Sequence, residues 1–228
     1  MSFFKVSKSA DDVKDSGGSN FINSSGFYPL TIKAACVDSN DKGARSITFL
    51  VDYEGQEQPL FGALKLDNND GSPNFEMEMF NKLCVVCGID EVAEPVEGEL
   101  PIGKSKSMKE CLILPDFEDV EVTLRIQMEY SLFNGEVKEK KRIRNVFRSS
   151  DNATAAEIVN DAEAGNQYEK EQKYADNVTY KDGLTPEDVE QYITNRKSGG
   201  GGTAKKNTTS KMTGGKSTGF GKKKFGSS

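Results

Sequence analysis

The sequence contains no histidine and no tryptophan among its 228 residues, and only four cysteines, Cys36, Cys84, Cys87 and Cys111. Histidine is the commonest general base and a common metal ligand, so its absence excludes Ser-His-Asp and Cys-His catalysis within this chain. No run of 18 apolar residues occurs, and residues 1–5 do not open an apolar signal sequence. We therefore expect no membrane span, no secretion and reduced cysteines.

Charge is distributed unevenly along the chain, although the net charge is only −6. Residues 1–150 carry 18 basic and 25 acidic side chains, residues 151–198 carry 5 and 11, and residues 199–228 carry 7 lysines and no acid. Such shifts in composition mark boundaries. They predict a flexible N-terminal arm (1–25), a folded domain (26–150), an acidic, partly helical segment (151–198) and a disordered Gly/Lys-rich tail (199–228).

The folded part shows the periodicity of a mainly β domain. Segments 30–36, 47–53 and 60–66 alternate in polarity as strands do, and an apolar stripe over 75–87 predicts a helix capped by Ser72 or Asn74 and stopped by Gly88. The acidic stretch 89–109 predicts a long loop. Two more strands, 120–130 and 137–147, flank the strong hairpin signal Asn134-Gly135.

This order of elements predicts a five-stranded OB-like barrel, of the oligonucleotide/oligosaccharide-binding type, with one helix between strands 3 and 4. An open α+β sheet built from the same elements is the alternative.

The last hairpin gathers cations on one face. If Asn134 and Gly135 form the turn, Ile126 opposes Ile143 on a core face, and Arg125 opposes Arg144 on the other face. Like charges directly opposite each other are unfavourable, so this pattern predicts an anion-binding face, with a merely solvated face as the alternative. Its cations are Arg125, Lys138, Lys140, Arg142 and Arg144.

Neither a metal site nor a catalytic site is predicted. Cys84 and Cys87 form one C-x-x-C motif late in the helix stripe, and a second such motif, which a zinc site would favour, is missing. Packing cysteines explain the motif better. The carboxylates Asp67, Asp70 and those of residues 116–119 have no metal-site spacing, so we predict no enzymatic activity and no cofactor.

The acidic segment contains a short helix signal, Thr185-Pro186-Glu187-Asp188, next to an apolar patch formed by Leu184, Val189, Tyr192 and Ile193. This patch could dock on the folded domain or on a partner protein, and the segment as a whole reads slightly better as an acidic spacer. A partner-binding patch supports a second hypothesis, a protein-interaction adaptor.

Several segments together resemble a known family. They are residues 24–32, Leu60-Phe61-Gly62-Ala63-Leu64, residues 74–83, residues 174–180 and the closing Phe220-Gly221-Lys222-Lys223-Lys224-Phe225. They resemble bacteriophage-encoded single-stranded DNA-binding proteins. The resemblance implies an oligonucleotide-binding barrel, a role in phage DNA replication, recombination or repair, phage replication or recombination proteins as further partners, and the cytoplasm of the infected host. The resemblance leaves open whether the protein forms a homo-oligomer. Many such proteins end in an acidic tail, whereas here the acidic segment precedes a basic terminus.

The expected mechanism is sequence-independent binding of single-stranded DNA, with a cationic groove along the backbone and aromatic side chains under the bases. The hairpin cations would line the groove, supplemented by Lys222, Lys223 and Lys224 of the tail. Tyr28, Phe61 and Phe133 are the predicted stacking residues. The alternative function is an adaptor that recruits phage replication or recombination proteins through the acidic segment.

Overall fold

Strands dominate the computed structural model, which describes residues 20–103 and 106–197. Eight strands join in one sheet. The strands are β1 (Gly26–Ser39), β2 (Arg45–Tyr53), β3 (Gln56–Lys65), β4 (Val96–Leu100), β5 (Lys109–Leu114), β6 (Val120–Phe133), β7 (Glu136–Arg148) and β8 (Thr179–Tyr180). The helices are α1 (Met77–Cys87), α2 (Ala155–Val159), α3 (Asn166–Gln172) and α4 (Pro186–Lys197). The prediction of a mainly β fold is confirmed.

Strand β1 organises the sheet because it is long enough to pair with three neighbours. Thr31 to Ser39 pair with β2, Gly26 to Ile32 pair with β6, and Ala35 to Val37 pair with β5. A bulge between Ile32 and Ala34 interrupts the β1–β2 register. Bulges bend a strand and increase its twist, which lets the two halves of β1 serve two different branches of the sheet.

The predicted closed five-stranded barrel is wrong in two respects. The sheet has more than five strands, because β4 and β5 form a hairpin where part of a loop was predicted, and β8 joins from the acidic segment. The sheet is also open: within the described residues β3 and β7 contact each other without forming a strand pair, and α1 packs against both. Both strands are short; β4 carries two glutamates and a glycine, and β5 has a continuous apolar run in place of the alternation that identified the other strands.

Local signals set two of the element ends. Asn134 and Gly135 have φ of 53° and 78°, the positive values that a tight hairpin turn requires, and they join β6 to β7 as predicted. Gly88 has φ of 69° and ends α1, with its N–H directed to the carbonyls of Cys84 and Val85. The helix begins at Met77, later than predicted, because Asn74 accepts the N–H of Glu76 in a turn that precedes it.

Three apolar clusters hold these elements together. The main core lies between the sheet and α1 and contains Phe49, Leu83, Phe117 and Ile126. A second, small cluster around Cys36 and Leu100 lies under the β4–β5 hairpin. In the third cluster, Leu184, which precedes α4, and Val189 on α4 are buried against Met128, Tyr130 and Val137. Parts of residues 151–197 are therefore packed on the sheet, where a spacer had been the favoured interpretation.

Candidate nucleic-acid interface

The cationic face of the β6–β7 hairpin is divided by a bulge. From Ile126 to Phe133 the observed register matches the predicted one, with Ile126 opposite Ile143 and Glu129 opposite Lys140. Between Arg125 and Ile126 the register shifts, so that Arg125 opposes Asn145 rather than Arg144. The predicted clash of Arg125 with Arg144 is therefore wrong, because Arg144 is the extra residue of the bulge.

Arg125 is covered by the acidic segment. Its guanidinium donates to Glu171 at 2.8 Å and to the carbonyl of Tyr174 at 3.1 Å, and it lies 6.0 Å from the centre of the Tyr174 ring. Tyr168 of α3 packs against Phe27 and Phe147 on the same part of the sheet. We therefore remove Arg125 from the predicted DNA-binding set, because α3 already supplies its anion.

Arg142 lies in the open part of the face at the centre of a charged cluster. It pairs with Glu76, which precedes α1, and with Glu129 on β6 at 3.3 Å; Lys181 reaches Glu129 at 2.8 Å. Burial by itself would raise the pKa of Glu129, but the Lys181 hydrogen bond and the Arg142 charge outweigh it and lower that pKa. Both carboxylates are buried, so this cluster positions the arginine rigidly.

Lys140, next to this cluster, has no ion pair within residues 20–103 and 106–197. Burial lowers its pKa, and the charges of Arg142 and Lys65 lower it further, while Glu76 and Glu129 act in the opposite direction. A half-buried ammonium among other cations is destabilised in its charged form. An added anion would relieve that penalty, so Lys140 is suited to hold a phosphate.

A cleft of about 320 Å³ opens between the start of α1 and the hairpin. The α1 side contributes Phe75, Met79 and Lys82, and the opposite side contributes Arg142, Arg144 and Lys181. Arg144 is exposed and donates only to the side-chain amide of Gln127 among the described residues. Glu76, Glu78 and Glu129 also line the cleft and pair with Arg142, Lys82 and Lys181. Among the described residues Arg144 is therefore the cleft cation without a carboxylate partner, and it lies in the same cleft as an exposed aromatic ring, the two kinds of group that bind single-stranded nucleic acids.

The aromatic predictions have mixed outcomes. Tyr28 is 8% exposed, packs edge-on against Tyr53 and donates its hydroxyl to the carbonyl of Ser24, so its assignment as a stacking residue is corrected. Phe61 on β3 and Phe133 at the hairpin turn are each 63% exposed, as stacking requires. Phe75, which lines the cleft, is 79% exposed and was missed. Its place on the apolar helix stripe had marked it as core.

Two groups of predicted cations contribute little to the cleft in the described residues. Lys138 pairs with its near neighbour Glu136 at 2.7 Å and does not line the cleft. Lys222, Lys223 and Lys224 lie outside the described residues. Conversely, Lys82 and Lys181 line the cleft, although neither was singled out, because neither belongs to the hairpin.

The cysteines do not converge. Cys84 packs in the main core and Cys36 in the second cluster with Cys111 beside it. Burial raises the pKa of Cys84 to about 11 and of Cys87 to about 12, so both stay protonated thiols at neutral pH. Among residues 20–103 and 106–197 no group of three or more Cys, Asp or Glu is placed to hold a metal ion.

The carboxylates considered for metal chemistry are engaged locally. Asp67 binds Arg45, Asp70 accepts from Ser72, and Asp116 accepts the N–H of Ala93. The apolar patch assigned to an adaptor is also occupied, because Leu184 and Val189 are buried within the chain itself.

No protein-family model, no curated protein and no solved structure matches this chain. The helices within the described residues include none that is long and apolar enough to cross a membrane.

Proposed function

We propose that this protein binds single-stranded DNA without sequence preference, and that the bound strand passes through the cleft between α1 and the β6–β7 hairpin. One observation carries the proposal: exposed Phe75 lies in the same cleft as Arg142, Arg144 and Lys181, and Lys140 next to them has no ion pair among the described residues. A flexible, unpaired strand can offer both a phosphate to the cations and a base face to the ring. A duplex keeps its base faces stacked.

The strand order supports the same proposal. Read side by side, β3, β2, β1, β6 and β7 form an antiparallel series with α1 after the third strand, and β4–β5 is an additional hairpin. We propose that these five strands are an open variant of the oligonucleotide/oligosaccharide-binding barrel, in which α1 fills the gap between β3 and β7.

The roles follow from the positions. Lys140 and Arg144 contact phosphates, Phe75 stacks on a base, and Arg142 is held by its carboxylates at the centre of the cleft. Phe61, Phe133 and Lys222 to Lys224 extend the contact. The resemblance to phage single-stranded DNA-binding proteins supports a role for this activity in phage replication, recombination or repair, without catalysis.

The test is fluorescence anisotropy with labelled oligo-dT at two salt concentrations and with unlabelled duplex as competitor. We expect binding that weakens with salt, at roughly 0.7 logarithmic units of affinity per logarithmic unit of salt for each phosphate neutralised. The variant Lys140→Gln with Arg144→Gln should lower that slope and reduce affinity at least tenfold.

The matched control is Lys170→Gln with Lys173→Gln, which removes two exposed cations of α3 or its end and leaves the cleft intact. Unchanged affinity in the cleft variant, or a loss of the same size in the control, would refute the cleft as the binding site. Equal competition by duplex would refute the single-strand preference.

A further inference from the structure

Strand β4 is a sheet edge with an unfavourable charge pattern. Within residues 20–103 and 106–197 it pairs only with β5, in a register that places Glu99 directly opposite Glu110. Like charges directly opposite each other destabilise an antiparallel pair. Glu97, Glu99 and Glu110 are exposed, and none of them forms an ion pair among the described residues.

The same hairpin also carries apolar surface. Val96 and Leu112 are exposed, and Leu112 lies between Val37 on β1 and Glu97 on β4 in the sheet. A cleft of about 650 Å³ runs along this part of the sheet. An edge strand with an open row of backbone donors and acceptors is a template for a further strand. Glu97, Glu99 and Val96 on β4 favour an added strand that carries cations at alternate positions and an apolar residue next to them.

The C-terminal tail contains a segment of matching pattern. In an extended strand alternate side chains share a face, so Lys222 and Lys224 have the same spacing as Glu97 and Glu99. If Lys224 stands opposite Glu97 in an antiparallel pair, Lys222 stands opposite Glu99. In that register Phe225 stands opposite the exposed Val96, and Gly221 stands opposite Leu100, which is already buried. In this register Lys222 and Lys224 each stand opposite a glutamate and Phe225 stands opposite a valine, while Lys223 stands opposite Gly98.

We propose that, in the DNA-free protein, residues 221–225 of the same chain add to the edge of β4 as an antiparallel strand. Lys222 then completes a row with Glu99 and Glu110, which resolves the repulsion between these two carboxylates. The connecting segment 198–220 can span roughly 75 Å when extended, so it can reach any face of a domain whose diameter is about 40 Å. This contact lies outside the proposed DNA cleft, and only its restriction to the DNA-free protein rests on the proposed function, in which Lys222 to Lys224 contact DNA.

Hydrogen–deuterium exchange of the full-length chain, followed by mass spectrometry, tests the pairing. We expect the amides of residues 221–225 to exchange at least tenfold more slowly than in the variant Lys222→Glu with Lys224→Glu. The matched control, Lys205→Glu with Lys206→Glu, makes the same change in charge elsewhere in the tail and should keep the protection. Equal exchange in the wild-type chain and the register variant would overturn the proposal.

Swapping the charges between β4 and the tail segment tests the register. Glu97→Lys with Glu99→Lys should remove the protection, and combining it with Lys222→Glu and Lys224→Glu should restore it. Failure of the combined variant to regain protection would contradict this register. Gly98 should be left unchanged, because a Cβ there would lie 2.6 Å from Cδ1 of Ile113.

Carbodiimide cross-linking locates the contact and its source. Lysines 222 and 224 should cross-link to Glu97, Glu99 or Glu110 at least tenfold more often than to exposed Glu163, which serves as the reference carboxylate. A mixture of unlabelled and ¹⁵N-labelled chains should give cross-links within one chain only. Even distribution over all exposed acids, or cross-links only between chains, would overturn docking of the tail on its own β4.

Discussion

The β6–β7 hairpin carries similar cations on both sides of its bulge, but these cations have different neighbours. On the side of Arg125, which is the covered end, α3 and the loop after it lie over the guanidinium, which donates to Glu171 and to the carbonyl of Tyr174. At the bulge and from there towards the hairpin turn, which is the open end, Arg144 and Arg142 line a cleft, and Lys140 lies opposite Glu129 next to them. A row of basic residues on a strand therefore does not define a binding face, because a distant segment of the same chain can supply the anions.

The largest expected effect lies at the covered end. Glu171 receives hydrogen bonds from Arg125, Asn145 and Gln167, and its side chain is mostly buried. Glu171→Ala leaves the largely buried Arg125 charge unpaired, so we expect the free energy of unfolding to fall by about 3–5 kcal/mol in urea titration. DNA affinity should not change. The control is Glu163→Ala, at an exposed position. A loss below about 1 kcal/mol in Glu171→Ala would show that the Arg125–Glu171 pair contributes no more than a surface ion pair.

The docking of α4 can be broken separately. Leu184 is buried against the half of the β6–β7 hairpin nearest its turn. Leu184→Ala should therefore lower the free energy of unfolding by roughly 2–4 kcal/mol, through loss of burial and formation of a cavity. Val159→Ala, at an exposed position on α2, should leave the urea midpoint unchanged. Equal urea midpoints for Leu184→Ala and Val159→Ala would show that residues 184–197 do not stabilise the fold and act only as a spacer.

The open end is expected to affect binding rather than stability. Phe75→Ala should weaken oligo-dT binding by about 1–3 kcal/mol, the usual value of one stacked base, and leave the urea midpoint in place because the ring is exposed. Phe61→Ala and Phe133→Ala then rank the other two candidates. Phe21→Ala, exposed but outside the cleft, is the control; a loss as large there would show that the effect does not come from stacking in the cleft.

The lowered pKa of Lys140 predicts a smaller, pH-dependent effect. Lys140 loses its proton below the ordinary pKa of 10.5, so DNA affinity should fall as the pH rises through the lowered value. Lys140→Arg should keep its charge and remove this part of the pH dependence. In the DNA-free protein, Lys140 destabilises the fold at any pH below its lowered pKa, because it is charged in both the folded and the unfolded state. As the pH rises from that lowered pKa to 10.5 the destabilisation disappears, because the folded state gives up the proton first. Identical alkaline profiles for wild type and Lys140→Arg would contradict the assignment.

The smallest effect is expected at Lys138, which pairs with its exposed neighbour Glu136 and does not line the cleft. Lys138→Gln should change neither the urea midpoint nor the DNA affinity measured at moderate salt. A loss as large as that of the Lys140→Gln, Arg144→Gln variant would extend the interface along the hairpin to its turn.

Much of the central sheet could be predicted, because its signals are local. The alternation in β1, β2 and β3, the Asn134-Gly135 turn and the stop of α1 at Gly88 each depend on residues a few positions apart. The box at Thr185, in which Thr185 and Asp188 exchange hydrogen bonds, was predicted on the same basis. The hairpin β4–β5 was missed because its short strands lack a regular alternation and pair where β1 offers β5 a neighbour.

The candidate site could be predicted only in part. The hairpin cations and the exposed rings Phe61 and Phe133 were identified from alternation and turn position. The bulge at Arg144, the burial of Tyr28 and the contributions of Phe75, Lys82 and Lys181 were not. A bulge changes which side chains share a face without a distinctive residue pattern, and exposure of one residue on an apolar stripe depends on where the helix meets the sheet.

The sequence by itself determined the strands β1, β2, β3, β6 and β7, the turn, the helix stop and the charge of each region, since those follow from backbone preferences and composition over short distances. Only the tertiary structure decided which cations stay open to a ligand. Arg125 meets Glu171 across 46 positions of the chain, and Arg142 meets Glu76 across 66. Such ion pairs form because apolar packing of α1 and α3 brings the segments together, and no local pattern in either segment encodes its distant partner.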